Sequence, residues 1–150
     1  MATIRLEKTV AAPIHYVFEL LSDHGNYTRF RGIRSSVVVR DGVPAPNGLG
    51  AVRRIALGPI VFEEEITAYE PPTRMDYLIR EVNLPVDHRG GTITLSSAGD
   101  AATQVLWISE FVTRIPLISG SVGAAGAALF KLGFAGMLNQ IERSHGTARK

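Results

Sequence analysis

The chain has 150 residues, 45% apolar and 20% charged, which suits one soluble globular domain, residues 1–150, with a sizeable core. Net charge is +2; the 13 arginines and 3 lysines are dispersed, Arg53–Arg54 being the densest pair, so neither a nucleic-acid surface nor a nucleic-acid partner is expected. The absence of cysteine excludes disulfides, thiolate chemistry and Cys-based metal sites, and an N-terminus without signal-peptide layout predicts a cytoplasmic protein.

In chain order, Thr3–Val10 alternates as a strand, with Ile4, Leu6 and Val10 on one face. Ala11-Ala12-Pro13 then opens a helix, Pro13 fitting a first turn that needs no amide donor, and Ile14, Val17, Phe18 and Leu21 recur at helical spacing. Ser22-Asp23-His24-Gly25 ends it, and a second short helical turn is predicted over Asn26–Phe30. From Ile33 the period becomes two. Strands are predicted over Ile33–Arg40, Leu49–Leu57, Ile60–Tyr69, Arg74–Val82, Gly91–Ser97 and Gln104–Arg114, joined by Gly-, Pro- and Asp-rich turns. After Pro116 the pattern is helical to about His145-Gly146. Its uncharged run, Ile115 to Phe130, falls short of the about 20 apolar residues of a membrane span and is rich in glycine, so no stable membrane insertion is expected.

Seven strands with short joints predict an α+β fold. A curved antiparallel sheet wraps around the long C-terminal helix, and two short helices separate strands one and two.

The joint Gly58-Pro59 sets a register. A two-residue turn with glycine first suits type II′ geometry, so Leu57 faces Ile60, Ile55 faces Phe62 and Arg53 faces Glu64. Leu49, Ala51, Arg53, Ile55 and Leu57 then share an inward face with Ile60, Phe62, Glu64, Ile66 and Ala68. The opposed charges of Arg53 and Glu64 on an apolar face have two readings: mutual satisfaction at the sheet edge, or orientation of a polar group on a ligand. The next hairpin, at Glu70-Pro71-Pro72-Thr73, places Met75, Tyr77 and Ile79 beside Ala68, Ile66 and Glu64. Tyr77 offers either a cavity hydroxyl or a core tyrosine bonded to a carbonyl. Ser35, between Ile33 and Val37, is a weaker inward candidate. In the last strand Trp107 and Phe111 are favoured inward over Leu106, Ile108 and Val112, since large aromatics line ligand pockets.

The histidines His15, His24, His88 and His145 show no metal-ligand spacing, and neither a nucleophile elbow nor a phosphate loop is present. No metal and no cofactor are expected. His88 falls near the Leu84–Gly91 joint, where it offers an acid or base, although a lone loop histidine is usually not catalytic.

Ala11-Ala-Pro-Ile-His-Tyr-Val-Phe-Glu-Leu-Leu-Ser-Asp23 with Asn26-Tyr-Thr-Arg-Phe30, then Phe62 to Tyr77 with its Glu-Pro-Pro-Thr-Arg, then the strand of Trp107 and the final helix, resemble the START-like, birch-pollen-allergen-like superfamily (SRPBCC). The similarity is to its polyketide cyclase/dehydrase and lipid-transport branch and covers essentially the whole chain. It implies a helix-grip fold with a deep cavity for lipids, polyketides or steroids. In aromatase/cyclase members an Arg and a Ser near the middle strands position a polyketide. That pair is not matched here, where residues 63–65 are glutamates, although Arg53 and Tyr77 offer comparable groups.

The function expected first is binding of a small hydrophobic ligand, by a monomer or homodimer, in the space between sheet and helix. The residues expected there are Ser35, Arg53, Ile55, Phe62, Glu64, Ile66, Tyr77, Ile79, Trp107, Phe111, Phe130 and Phe134. The alternative is a polyketide cyclase/dehydrase or isomerase-type enzyme, with Glu64 or Tyr77 moving a proton and Arg53 steadying an enolate. A third reading makes Gly120, Gly123 and Gly126 a movable lid of a docking module.

Overall fold

The computed structural model describes residues 2–114 and 121–148. Strand β1 (Ala2–Val10) is followed by helix α1 (Ile14–Ser22) and a 3-10 turn (His24–Arg29). Six further strands are β2 (Ile33–Arg40), β3 (Val52–Leu57), β4 (Ile60–Glu70), β5 (Arg74–Val82), β6 (Val86–Ser97) and β7 (Thr103–Thr113). Helix α2 (Ser121–Ala148) completes the described chain. All neighbouring strands are antiparallel, in the order β1-β7-β6-β5-β4-β3-β2. Strands β1 and β2 therefore lie at opposite edges, and α1 with the 3-10 turn carries the chain between them. Pro13 sits at the N-cap of α1, one residue before the expected first turn, with extended backbone.

Helix α2 buries Leu138 and Ile141, with Phe134 and Phe130 half-buried one and two turns earlier, while Leu129 and Leu132 are exposed. The sequence 130, 134, 138, 141 is a helical stripe, and it faces the sheet. Phe134 stacks on Trp107 of β7 with ring centroids 4.0 Å apart, and Phe130 stacks on Phe111 at 5.9 Å. The C-terminal part is tied to the α1 region by the Glu142 carboxylate, which accepts from the Ala11 amide at 2.7 Å, and by a 2.8 Å bond between the Tyr16 and Ser144 hydroxyls. Among the described residues no helix is long and apolar enough to cross a membrane. Of the glycines read as a lid, Gly120 lies outside the described residues.

The turn at Gly58, with φ +56°, gives the expected register: Leu57 opposite Ile60, Ile55 opposite Phe62, Arg53 opposite Glu64. Two face expectations fail and one cross-strand pairing shifts, where the register is irregular or the strand starts late. A bulge between Ile33 and Ser35 puts Ser36 opposite buried Ile55, so Ser36 is buried and Ser35 only half-buried. Leu49 is exposed because β3 starts only at Val52; Leu49 bridges Val43 in a separate loop, and Gly50, at φ +83°, reorients the chain between them. A shift between Ile66 and Ala68 leaves Tyr77 opposite Ile66 and Ile79 opposite Glu64 as expected, but sets Met75 opposite Tyr69. In β7, Val105, Trp107 and Ser109 are buried while Leu106 and Ile108 are half-buried, which settles the inward face in favour of Trp107.

Candidate functional site

Six consecutive strands each place a buried polar side chain on the face that α2 covers: Ser36, Arg53, Glu64, Tyr77, His88 and Ser109, from β2 to β7. Buried polar groups must find partners or remain costly, and here they divide into two hydrogen-bonded groups.

The first centres on Arg53, which is fully buried. Its NH2 group donates to Glu64 Oε1, and its NH1 group lies 2.8 Å from His24 Nδ1. His24 reaches this pair from the 3-10 turn, where its ring packs on Tyr27 with centroids 4.3 Å apart. Its Nε2 is 3.6 Å from Glu64 Oε1, and Ser36 Oγ donates to its carbonyl. Burial, reinforced by the charge of Arg53, holds the imidazole well below its usual pKa, so His24 is neutral. Tyr27, buried beside it, donates its hydroxyl to the Leu21 carbonyl at the end of α1, and burial raises its pKa. Arg53 Nε has no hydrogen-bond partner among the described residues.

The second group begins where the sheet parts. The β5–β6 ladder runs only from Arg74–Thr94 to Tyr77–Gly91. Beyond it, the side chain of His88 bridges the gap: Nδ1 accepts from the Ile79 amide at 2.9 Å. That bond fixes the tautomer, leaving the proton on Nε2 to be donated to Ser109 Oγ at 2.7 Å. Burial lowers the His88 pKa to about 4. Its ring stacks on Tyr77 at 5.4 Å and touches Phe111 at 4.8 Å. Tyr77 lies across Gly91, where an added Cβ would fall 2.1 Å from the ring, so only glycine admits the tyrosine. The Tyr77 hydroxyl accepts from Trp107 Nε1 at 2.9 Å. Burial, followed by the charge of Glu64, pushes its pKa up to about 12, against the hydrogen bonds from Ser109 and Trp107.

The structure thus brings Arg53, Ile55, Glu64, Ile66, Tyr77 and Trp107 together as buried residues, with Phe62, Ile79, Phe111, Phe130 and Phe134 half-buried around them. It does not bring Ser35 there. Sequence reasoning missed His24 and Ser36, and it assigned His88 to a loop. His88 belongs to β6, which extends to Val86 through an irregularity at Gly90 with φ +135°. The extra residue reverses parity, so His88 rather than Arg89 turns inward.

Two open clefts are outlined by described residues. One, about 650 Å³, is a polar surface recess between Arg29, Arg31, Gln140 and Arg143. The other, about 270 Å³, lies in the parting between β5 and β6 with His88 in its wall. Neither is lined by Arg53, Glu64 or Tyr77.

Similar folds are known. The ZhuI aromatase/cyclase of Streptomyces sp. R1128 superposes with a TM-score of 0.77 at 20% identity, covering 99% of this chain and 95% of that one. A START superfamily protein of Mycobacterium smegmatis gives 0.77 at 14% identity, over 95% and 99%. A protein of Thermus thermophilus gives 0.77 at 20% identity, over 99% of both chains. These likenesses establish the START-like helix-grip fold. No curated protein sequence matches the chain. The model of one family, polyketide cyclase/dehydrase and lipid transport, matches residues 1–145, and the chain belongs to that family.

Proposed function

We propose that the protein binds a small hydrophobic molecule bearing a carbonyl or carboxylate oxygen, held between the sheet and α2 with that oxygen directed at Arg53. The observation that carries this reading is the Nε–H of a fully buried guanidinium, which has no partner among the described residues. An unsatisfied buried donor costs about 1–3 kcal/mol, and a ligand oxygen removes that cost. The apolar body of the ligand takes the space now closed by the Trp107–Phe134 and Phe111–Phe130 pairs, with Phe62, Ile66 and Ile79 on the sheet side. Binding pocket energetics of this kind come from the apolar wall, and orientation comes from a few convergent polar groups.

The test is a titration of Trp107 fluorescence, the single tryptophan, with decane, 2-decanone and decanoate. The two oxygenated chains should bind roughly tenfold more tightly than the hydrocarbon, the worth of one charge-assisted hydrogen bond. That preference should vanish when Arg53 and Glu64 are both replaced by apolar residues. Equal affinities in the unaltered protein, or no binding of any chain, would overturn the reading.

A second reading, a cyclase/dehydrase or isomerase-type enzyme, is favoured by one feature: a carboxylate, Glu64, sits between a guanidinium and a tyrosine whose pKa responds to it. Here Glu64 takes a proton from a carbon beside the ligand carbonyl, and Arg53 steadies the resulting enolate.

A further inference from the structure

His24 Nδ1 lies 2.7 Å from the Ser22 carbonyl oxygen and 2.8 Å from Arg53 NH1. The carbonyl requires a proton on that nitrogen, and the guanidinium requires a lone pair, so the two bonds exclude each other. The other nitrogen resolves the choice, because Nε2 faces Glu64 Oε1 at 3.6 Å. While Glu64 is a carboxylate, the favoured tautomer carries its proton on Nε2, pointing at the carboxylate, and Nδ1 accepts from Arg53. When Glu64 carries a proton, the favoured tautomer is the reverse: Nδ1–H donates to Ser22, and the Nε2 lone pair faces the carboxylic acid.

We propose that His24 is a positioning residue that changes tautomer with the protonation state of Glu64, and that in doing so it releases an N–H of Arg53 for the ligand. This rests on the proton-transfer reading of Glu64 for its use, though not for its test. The proton count balances: the carbon–hydrogen bond of the ligand breaks, its proton ends on Glu64, and its electron pair becomes the enolate. The imidazole keeps one proton throughout and changes only the nitrogen that holds it. Arg53 NH1 then loses its imidazole acceptor, so two donors, NH1 and Nε, have no acceptor among the described residues while the ligand has gained a negative oxygen. Charge is moved and met within one site.

The groups facing this imidazole come from several elements. Arg53 and Glu64 reach it from β3 and β4, and Tyr27 from its own 3-10 turn. Asp23 is adjacent but is engaged by Arg29 at 2.9 Å and by Asn26. Tyr77, on β5, lies on the far side of Glu64 and is uncharged near neutrality. Glu64 is the group that Nε2 faces, so the state of Glu64 sets the tautomer.

The test uses the ligand-free protein, uniformly labelled with nitrogen-15, and reads the His24 ring nitrogens by long-range proton–nitrogen correlation. At near-neutral pH the unaltered protein should show a majority Nε2–H tautomer. Glu64→Gln, which removes the negative charge that Nε2–H faces, should show a majority Nδ1–H tautomer. The paired variant Arg53→Met with Glu64→Leu gives a second measurement: with neither partner present, Nδ1–H donates to the Ser22 carbonyl and should be the majority tautomer. The same tautomer in the unaltered protein and in either variant would overturn the switch. Since no ligand is present, that failure is distinct from a failure of the ligand titration.

Discussion

Replacing Glu64 by Leu removes the carboxylate that pairs with a guanidinium lacking any solvent exposure. What remains near Arg53 is a neutral imidazole, which offsets no charge. Breaking a buried pair from one side costs about 3–5 kcal/mol. With a urea m-value of about 2 kcal/mol per molar for a chain of this size, the unfolding midpoint should fall by about 1.5–2.5 M. Removing both charges, as Arg53→Met with Glu64→Leu, should recover that loss and leave stability equal to the unaltered protein or about 1–4 kcal/mol above it. Arg54 is the internal control. It is the next residue, its pairing with Glu63 is solvent-exposed, and Arg54→Ala should cost about 1 kcal/mol or less. The assay is equilibrium urea unfolding followed by far-UV circular dichroism. If Glu64→Leu unfolds at the unaltered midpoint, the charges are not buried as a pair. If the double variant is as unstable as the single one, the loss comes from altered packing and not from an unpaired charge. A stable double variant that no longer distinguishes ketone from hydrocarbon would show that the pair is retained for the ligand and not for the fold.

Gly91→Ala should displace the Tyr77 ring, break its bond from Trp107 and cost about 1–3 kcal/mol of overpacking; urea unfolding measures the loss, and a shifted Trp107 emission locates it. His88 should make the fold acid-sensitive: its folded pKa, about 4, lies below the ordinary 6.5. The unfolded chain therefore takes up the proton first, so the stabilisation is fully present above pH 6.5 and is lost as pH falls toward about 4. Midpoints of His88→Asn measured across that range should show a flatter pH dependence, and an unchanged slope would contradict the assignment.

The hairpin at Gly58-Pro59 was legible because a two-residue turn leaves one register, and a period of two then assigns every side chain in β3 and β4 to a face. Arg53 and Glu64 follow from it directly, and Tyr77 from the next hairpin. The same logic misplaced Ser35 and Leu49 and paired Met75, inward as expected, with Ala68 in place of Tyr69, since each lies beyond a bulge or bridge that no residue type announces. His88 was lost for the same reason at Gly90. His24 is a different case. It enters the site from a short turn that packs against β2 and β3, a contact set by tertiary packing and invisible to periodicity. Phe130 and Phe134 stack on β7, and the helical stripe they begin ends in buried Leu138 and Ile141.

The parting between β5 and β6 has a mechanical consequence. Four paired residues join these strands, against eleven between β6 and β7 and eight between β4 and β5. The sheet is in effect two panels, β1-β7-β6 and β5-β4-β3-β2, sharing a short seam held further along by one imidazole. Trp107 and Phe111 ride on one panel, and Arg53 and Glu64 ride on the other. A change in the angle between the panels moves the aromatic wall relative to the charged pair while disturbing the fewest backbone bonds, so the dimensions of the interior are set less by any single side chain than by the set of this fold line.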